Sequence, residues 1–286
     1  MKKKKGAGIV FIRILLAIFA LAILLPMVQT FLYSFSSIAD MKAYMKTRNN
    51  YDVENWMASR LSPGMFSLGQ YYQILITDNT VLHLFLNSVL YTVLILSGQA
   101  LIIPAMAFAL SKFRFKSRDT IFFIIILLML LPFQVTMVPN VLTLKQLGLL
   151  NTVWAVVLPM WFAPFYIFLI RQYMVSLPNE LIEASSIDGA GTFRTYTWII
   201  LPVCRPILGA AAALSFADCW NLVEQPLTYL TTRQDIQPLS VMFNQLASEN
   251  TGFEFAGAAL YILPALFVYL FFQEDILSGI QLTELK

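Results

Sequence analysis

The sequence contains little of what metal sites and disulfide frameworks require. Its 286 residues include one histidine, His83, and two cysteines, Cys204 and Cys219. Both cysteines lie in one apolar segment and neither belongs to a CxxC pair, so a metal site or a disulfide framework would lack ligands or partners. We therefore predict no metal site and buried structural thiols at both positions.

Charged residues are also scarce, and this scarcity excludes a soluble domain. Only 12% of the residues are charged and 58% are hydrophobic, whereas soluble domains carry about 25% charged residues. The net charge is +3, and the basic clusters 2–5 and 112–118 border long apolar stretches. This pattern favours anchoring at a membrane face over nucleic-acid binding, so we predict a membrane protein without a nucleic-acid partner.

The motifs of ATP hydrolysis and of common hydrolytic chemistry are missing as well. The sequence has no GxxxxGK[ST] phosphate-binding loop, no GxSxG nucleophile motif and no HExxH zinc motif. We expect that the chain is not an enzyme and binds no cofactor of its own.

Long apolar runs, in contrast, are abundant. A helix needs about 20 apolar residues to cross a bilayer, and about six runs qualify by that measure. They are 9–35, 82–110, 120–141, 153–173, 198–220 and 255–272. Prolines within them are interpreted as kinks, because neighbouring helices can satisfy the carbonyl groups that proline frees. The predicted fold class is an all-α polytopic membrane protein.

The orientation of the runs is predicted from positive charge. The first run also resembles a secretory signal, with a weak small-x-small site at 37–39, but it is far longer than a signal core of about 7–15 residues. We favour an uncleaved helix. With the N-terminus inside, the inner face receives about twice as many Lys and Arg residues as the outer face, as the positive-inside rule requires. Both termini are then cytoplasmic, and 36–81 forms an extracytoplasmic loop.

The inner segment 175–197, between the fourth and fifth runs, differs from the other loops. Pro178, with Ser176 available as a cap and Glu180 in the first turn, predicts the start of a helix. An apolar stripe at helical spacing follows, formed by Leu181, Ala184 and Ile187.

The end of this helix is marked by glycine. Gly189 and Gly191 allow a sharp reversal, after which Thr192 can cap a second helix that enters the membrane. The apolar stripe could enter a groove on another protein, with Glu183 and Asp188 pairing with basic residues there. Helices that lie on lipid are normally rich in Lys and Arg on the polar face, so a protein partner is favoured.

These residues resemble a known motif. Glu183-Ala184-Ser185 followed by Gly189, and then Leu201-Pro202, is similar to the EAA loop of ABC importer permeases. The run 183–190 with Pro206 resembles the carbohydrate-uptake branch, the maltose-type second permease. Similar residues recur throughout the chain after Val81, at 87–88, 107–111, 132–139, 148–152, 168–173, 220–221, 238–239 and 273–279.

The resemblance implies a role for each residue of the loop. The segment would be a coupling helix in a cleft of a cytoplasmic ATPase, with Glu183 as the acidic anchor and Gly189 as the bend. The implied coupling residues are Glu183, Ala184, Ser185, Asp188, Gly189, Ala190, Gly191 and Pro202. The match departs from the family at Ser185, where alanine is usual.

The resemblance also implies an assembly. Residues 1–286 would form a single transmembrane domain of an importer in a bacterial inner membrane, working by alternating access. Its expected partners are a second homologous permease, two ATPase subunits that carry ATP and Mg²⁺, and an extracytoplasmic solute-binding protein. The imported solute would be a sugar or an oligosaccharide.

Polar residues within or near the apolar runs are candidates for a solute pathway, because polar groups are costly in lipid and usually face a cavity or another helix. The candidates are Asn87, Gln99, Asp218, Asn221 and Glu224, with Trp220 as a candidate sugar-stacking platform. Asp218 ranks first because an unpaired carboxylate costs most in lipid. For the polar residues the alternative is helix–helix hydrogen bonding, and for Trp220 it is an interfacial anchor.

Other functions explain less of the sequence. An ABC permease for a peptide, an amino acid or an anion would share the core motif, but 187–190 and the C-terminal pattern favour sugars. A secondary transporter would need inverted repeats and intramembrane charges, and it leaves the acidic loop without a purpose. A membrane-embedded enzyme would need a nucleophile or metal constellation that the sequence lacks.

Overall fold

The computed structural model describes residues 3–41, 65–77, 79–246 and 254–284. Within these ranges the regular secondary structure is helical, apart from one isolated bridge between Ser36 and Phe66. Residues 42–64, which form much of the predicted outer loop, lie outside the described residues.

The helices of the described ranges follow one another along the chain. In order they are α1 (Lys3–Ser34), α2 (Gly69–Tyr72), α3 (Thr80–Lys112), α4 (Arg118–Leu130), α5 (Phe133–Gln146), α6 (Val153–Trp161), α7 (Pro164–Ser176), α8 (Glu180–Ile187), α9 (Thr192–Val203), α10 (Arg205–Trp220), α11 (Glu224–Tyr229), α12 (Leu239–Leu246) and α13 (Glu254–Glu284). A π-helical turn, Gln73–Thr77, continues α2. Another, Tyr196–Ile200, lies within α9.

The membrane-spanning segments agree with the predicted fold class. Four are long and apolar enough to cross a bilayer alone, and two bent helix pairs raise the total to as many as 6. The four are Val10–Ser34, Thr80–Lys112, Val153–Ser176 and Phe255–Ile276. The prediction of about six spans in an all-helical protein is confirmed.

The predicted third span, 120–141, is not a straight helix. Helices α4 and α5 meet at an angle of 108°. Leu131 between them has an extended backbone, with ψ 125°, because the ring of Pro132 disfavours helical geometry at the preceding residue. Pro132 therefore breaks the helix where a kink was predicted. A second bent pair, α9 and α10, turns by 76° at Cys204, which precedes Pro206.

The contacts divide the chain into two compact units, and the first contains the N-terminal part of the chain up to His83 together with 245–263. Its described part is organised around Gln70, whose side chain is fully buried. The Gln70 amide donates to the carbonyl oxygens of Tyr33 at 2.7 Å and Ser36 at 3.0 Å, and its oxygen accepts from the Ala256 amide at 3.3 Å. One side chain thus joins the end of α1, α2 and the start of α13.

The second unit contains 84–244 and the C-terminal segment from Pro264. One of its hydrophobic clusters includes Ile167, Met174 and Ile200, and another includes Tyr91 and Val156. Cys204 belongs to the first cluster and Cys219 to the second, and both are buried free thiols. The prediction of buried structural cysteines is confirmed.

Candidate functional site

The loop between α7 and α9 has the predicted form of a short helix followed by a reversal. Helix α8 begins at Glu180, and the carbonyl of Asn179 accepts from the amides of Ile182 at 2.9 Å and Glu183 at 3.1 Å. Ser176 does not cap it, because the Ser176 hydroxyl donates to the Tyr173 carbonyl at 2.8 Å. Asn179, and not the predicted Ser176, therefore occupies the N-cap position of α8.

The end of α8 is a Schellman turn. The Ala190 amide donates to the Ser185 carbonyl at 2.9 Å, and the Gly189 amide donates to the Ser186 carbonyl at 3.1 Å. Gly189 has φ 77°, a left-handed conformation that favours glycine. Gly191 then precedes α9 with an extended backbone, so Gly191, and not the predicted Thr192, stands at the start of the second helix.

Ser185 fixes this reversal from the inside. It is 3% exposed, and its hydroxyl lies 2.9 Å from the hydroxyl of Thr195, which is equally buried. The Ser185 hydroxyl also donates to the Ile182 carbonyl at 2.7 Å. The residue at which the sequence departs from the family pattern thus ties α8 to α9. The sequence gives no signal for its partner Thr195.

The solvent-exposed surface of this loop combines acidic and apolar side chains. Glu183, Ala184 and Asp188 are exposed, and Ile187 is 87% exposed. Beyond the bend, Phe193 is 78% exposed. A surface that combines isoleucine and phenylalanine with carboxylates suits a groove on another protein that offers apolar surface and basic side chains. Pro202, the last of the predicted coupling residues, is exposed near the end of α9.

The first-ranked pathway residue, Asp218, lies on an exposed face of α10. Leu214, Ala217 and Asn221 share this face at helical spacing and are exposed with it. The Tyr166 hydroxyl of α7 donates to the Asp218 carboxylate at 2.5 Å. A carboxylate on the surface of a candidate membrane span is costly against lipid, so this face is suited to a polar pathway or a polar partner.

Glu224 is a second exposed carboxylate near the end of α10 and is the first residue of α11. Its carboxylate accepts from the side-chain amide of Gln134 at 3.0 Å, and both side chains are exposed. Gln134 belongs to α5, directly after the break at Pro132. The helix break at Pro132 thus places the Gln134 side-chain amide beside the Glu224 carboxylate.

Trp220 is placed differently from a stacking platform. Its ring is 2% exposed, stacks on Phe216 with centroids 5.6 Å apart and meets the edge of Phe85 at 5.7 Å. A ring with so little exposed surface is not open to a sugar, so in this conformation Trp220 is a packing element of the second unit.

Asn87 is part of a structural clasp. Its amide donates to the carbonyls of Asp235 at 2.9 Å and Gln237 at 3.0 Å. The same turn is held by Arg233, whose guanidinium binds the Asp235 carboxylate at 2.8 Å. This hydrogen bond raises the pKa of Arg233 above its ordinary value. Asn87 therefore fixes the segment between α11 and α12 to α3.

Gln99 is buried in the second unit beside a cavity. Its amide donates to the Met160 carbonyl at 2.7 Å, and its oxygen accepts from the Ser215 hydroxyl. The cavity has a volume of about 370 Å³ and is lined by Gln99, Tyr166, Ser215 and apolar residues of α3, α7, α9 and α10. Gln99 thus serves as a helix–helix link between α3, α6 and α10.

Comparison with known proteins identifies the family. Residues 99–274 match the family described as binding-protein-dependent transport system inner membrane component. The multiple sugar-binding transport system permease protein of Streptococcus mutans is 29% identical and covers 98% of both chains. The diacetylchitobiose uptake system permease protein of Streptomyces coelicolor is 33% identical over 71% of this chain and 70% of its own.

Another relative and a solved structure agree. The arabinooligosaccharides transport system permease protein of Halalkalibacterium halodurans is 29% identical over 82% of this chain and 85% of its own. A crystal structure of a bacterial ABC transporter that imports the acidic polysaccharide alginate contains a chain with a TM-score of 0.77 and 25% identity, covering 96% of this chain and 98% of that one. The family predicted from the EAA-like loop is confirmed: this chain belongs to the inner-membrane components of binding-protein-dependent transport systems, the permeases of ABC importers.

Proposed function

We propose that this chain is a membrane-spanning subunit of an ATP-driven importer of sugars or oligosaccharides in a bacterial inner membrane. The names of the three relatives refer to arabinooligosaccharides, diacetylchitobiose and multiple sugars. The observation that carries the proposal is the exposed acidic and apolar face of α8, followed by the fixed reversal at Gly189. A short helix held by such a turn can bind a partner protein and move with it as a rigid body.

The proposed assembly supplies the ATP-binding motif that this sequence lacks and a partner for the exposed surface of α8. ATP and Mg²⁺ bind to two partner ATPase subunits on the cytoplasmic side, and a second permease completes the membrane part. Both termini of this chain are cytoplasmic, which agrees with the distribution of positive charge. A solute-binding protein delivers the sugar from the outer side.

The proposed mechanism is a rigid-body switch. Closure of the ATPase subunits moves α8, and the membrane helices change between inward-open and outward-open states. ATP can drive this change only because the closed ATPase dimer binds one state more tightly than the other. Glu183 serves as the acidic anchor in the ATPase groove, Ala184, Asp188 and Ala190 complete the contact surface, and Gly191 leads the chain from the bend into α9.

Docking is tested with the Glu183→Ala variant. Co-purification of the ATPase with the permease is expected to fall at least about tenfold, because one hydrogen bond to a charged group is worth about 1.5–3 kcal/mol and about 1.4 kcal/mol corresponds to a factor of ten. Glu180→Ala is the matched control, since Glu180 is an exposed acidic residue of the same helix. If both variants retain the ATPase equally well, Glu183 is not the anchor.

The pathway assignment is tested at Asp218. Asp218→Asn keeps an oxygen that can accept from Tyr166 but removes the charge, and we expect the initial rate of sugar uptake by proteoliposomes to fall about tenfold, the equivalent of about 1.4 kcal/mol. The control is Asp119→Asn, which removes an exposed carboxylate from the Arg118 pair. An uptake rate equal to that of the control would remove Asp218 from the pathway.

A further inference from the structure

Lys112, the last residue of α3, makes contacts that a simple membrane-face anchor does not need. Its ammonium group donates to the Leu177 carbonyl at 2.7 Å and to the side-chain oxygen of Asn179 at 3.1 Å. Leu177 follows the end of α7, and Asn179 directly precedes α8. Lys112 therefore holds the segment through which the chain enters the docking helix.

The neighbouring basic residues behave differently. Arg114 and Lys116 belong to the same cluster but are exposed, whereas Lys112 is half-buried. The Leu177 carbonyl lies at the negative end of the α7 dipole, where a cation is stabilised. Pro178, the next residue, has no N–H and cannot continue the hydrogen-bond pattern. A cationic hydrogen-bond donor is therefore favoured at the Leu177 carbonyl, and the Lys112 ammonium group is that donor.

The contact gives α8 a polar attachment at its start in addition to the one at its end. At the C-terminal end of the helix, the Ser185–Thr195 pair binds it to α9, which leads into α10. At its start, Lys112 binds it to α3. Helices α3 and α10 meet again within the second unit, where the Ser215 hydroxyl donates to Gln99.

From this arrangement we infer that Lys112 is a positioning residue that transmits the displacement of α8 to α3. The inference rests on the docking function proposed above. When a partner moves α8, the Ser185–Thr195 pair moves α9, and Lys112 makes α3 move with it. Ile182 of α8 also packs against the apolar cluster of the second unit, but apolar contacts can slide, whereas the hydrogen bonds of Lys112 fix the start of α8 to α3 at defined atoms.

The first experiment needs neither an ATPase nor a sugar. Hydrogen exchange is compared between wild type and Lys112→Met in the purified permease. The Ile182 and Glu183 amides, which donate to Asn179, are expected to exchange about tenfold faster, whereas the Gly189 and Ala190 amides keep their wild-type protection. A tenfold change lies at the lower end of the effect expected when one hydrogen bond to a charged group is lost. Unchanged exchange at Ile182 and Glu183 would overturn the inference, whatever the chain transports.

The second experiment measures transmission in the assembled importer. In Lys112→Met we expect the ATPase to co-purify as in wild type, while the ratio of sugar-stimulated to basal ATP hydrolysis falls about tenfold. Lys112→Arg keeps the cationic donor and should restore most of the ratio, and Lys116→Met, which removes an exposed charge, should behave as wild type.

The outcomes separate this inference from the proposed function. An importer that hydrolyses ATP in response to sugar equally well with Lys112→Met and Lys116→Met would overturn the role of Lys112 and leave docking intact. Loss of the ATPase from Lys112→Met would also overturn it, because Lys112 would then be required for assembly and not for transmission. A wild-type chain that binds no ATPase would contradict the proposed function, while the exchange experiment still decides whether Lys112 holds the start of α8.

Discussion

Gly189→Leu is expected to abolish sugar-stimulated ATP hydrolysis while the chain still inserts in the membrane. Gly189 has φ 77°, and a residue with a side chain pays about 1–2 kcal/mol for a left-handed backbone. Leucine relieves this strain by leaving the left-handed region, and the Schellman turn then opens. Because the turn sets the direction of α8 relative to α9, its loss misdirects the whole docking face and not one contact.

A graded series distinguishes the backbone from the side chain at this position. Asparagine tolerates the left-handed region better than other residues with side chains, so Gly189→Asn should retain most of the stimulated activity. Gly189→Ala should lie between asparagine and leucine. Space is not the constraint, because no atom lies within 4 Å of a Cβ added at Gly189.

The matched control for this series is two residues away. Gly191 also has open space around an added Cβ, but its φ of −72° suits any residue. Gly191→Ala should therefore keep wild-type stimulation and wild-type binding of the ATPase. If Gly189→Leu behaves like Gly191→Ala, the bend does not carry the docking geometry.

The docking loop was largely predictable because its structure is local. Pro178, the two glycines and the intervening apolar stripe specify a helix and a reversal through backbone preferences of neighbouring residues. The attachments of the loop were not predictable in this way. Lys112 and Asn179 lie 67 residues apart in the chain, and a basic residue at the end of a span has the same sequence signature whether it meets water, lipid or a carbonyl group.

The solute pathway shows the same limit more strongly. Asp218 and Trp220 are two residues apart, so on α10 they point in different directions, toward the exposed face and toward the packed core. Sequence alone reports that both are unusual in an apolar run. Which face of α10 packs against α3 and α7 is decided by tertiary contacts, and these bury Trp220 and leave Asp218 at the surface.

The close packing of membrane helices was also not predictable from the sequence, because it depends on tertiary contacts. Gly98 is the clearest example. A Cβ added at Gly98 would overlap the indole ring of Trp161, whose N–H donates to the Leu94 carbonyl at 2.9 Å. Small residues permit such close helix contacts in membranes, where the hydrophobic effect does not drive helices together. Helices α3 and α6 thus pack as closely as they do because position 98 has no side chain.

Gly98→Ala is accordingly expected to destabilise the protein, although alanine favours an isolated helix by about 1 kcal/mol over glycine. Overpacking of a filled interface costs about 1–3 kcal/mol, and here the nearest atoms belong to a large ring that is itself hydrogen-bonded. The midpoint of thermal unfolding in detergent should therefore fall, with loss of monodisperse protein. Ser97→Ala, on the exposed side of the same turn, should leave the midpoint unchanged.

A double-mutant cycle identifies the cause. In a Trp161→Leu background the indole is gone, so adding a methyl group at position 98 should cost little or should stabilise the helix through its intrinsic preference. The single variant Trp161→Leu loses packing and the Leu94 hydrogen bond and sets the baseline for this comparison. Equal losses from Gly98→Ala in both backgrounds would show that the ring is not the obstacle, and the close approach of α3 and α6 would then need another explanation than the missing side chain.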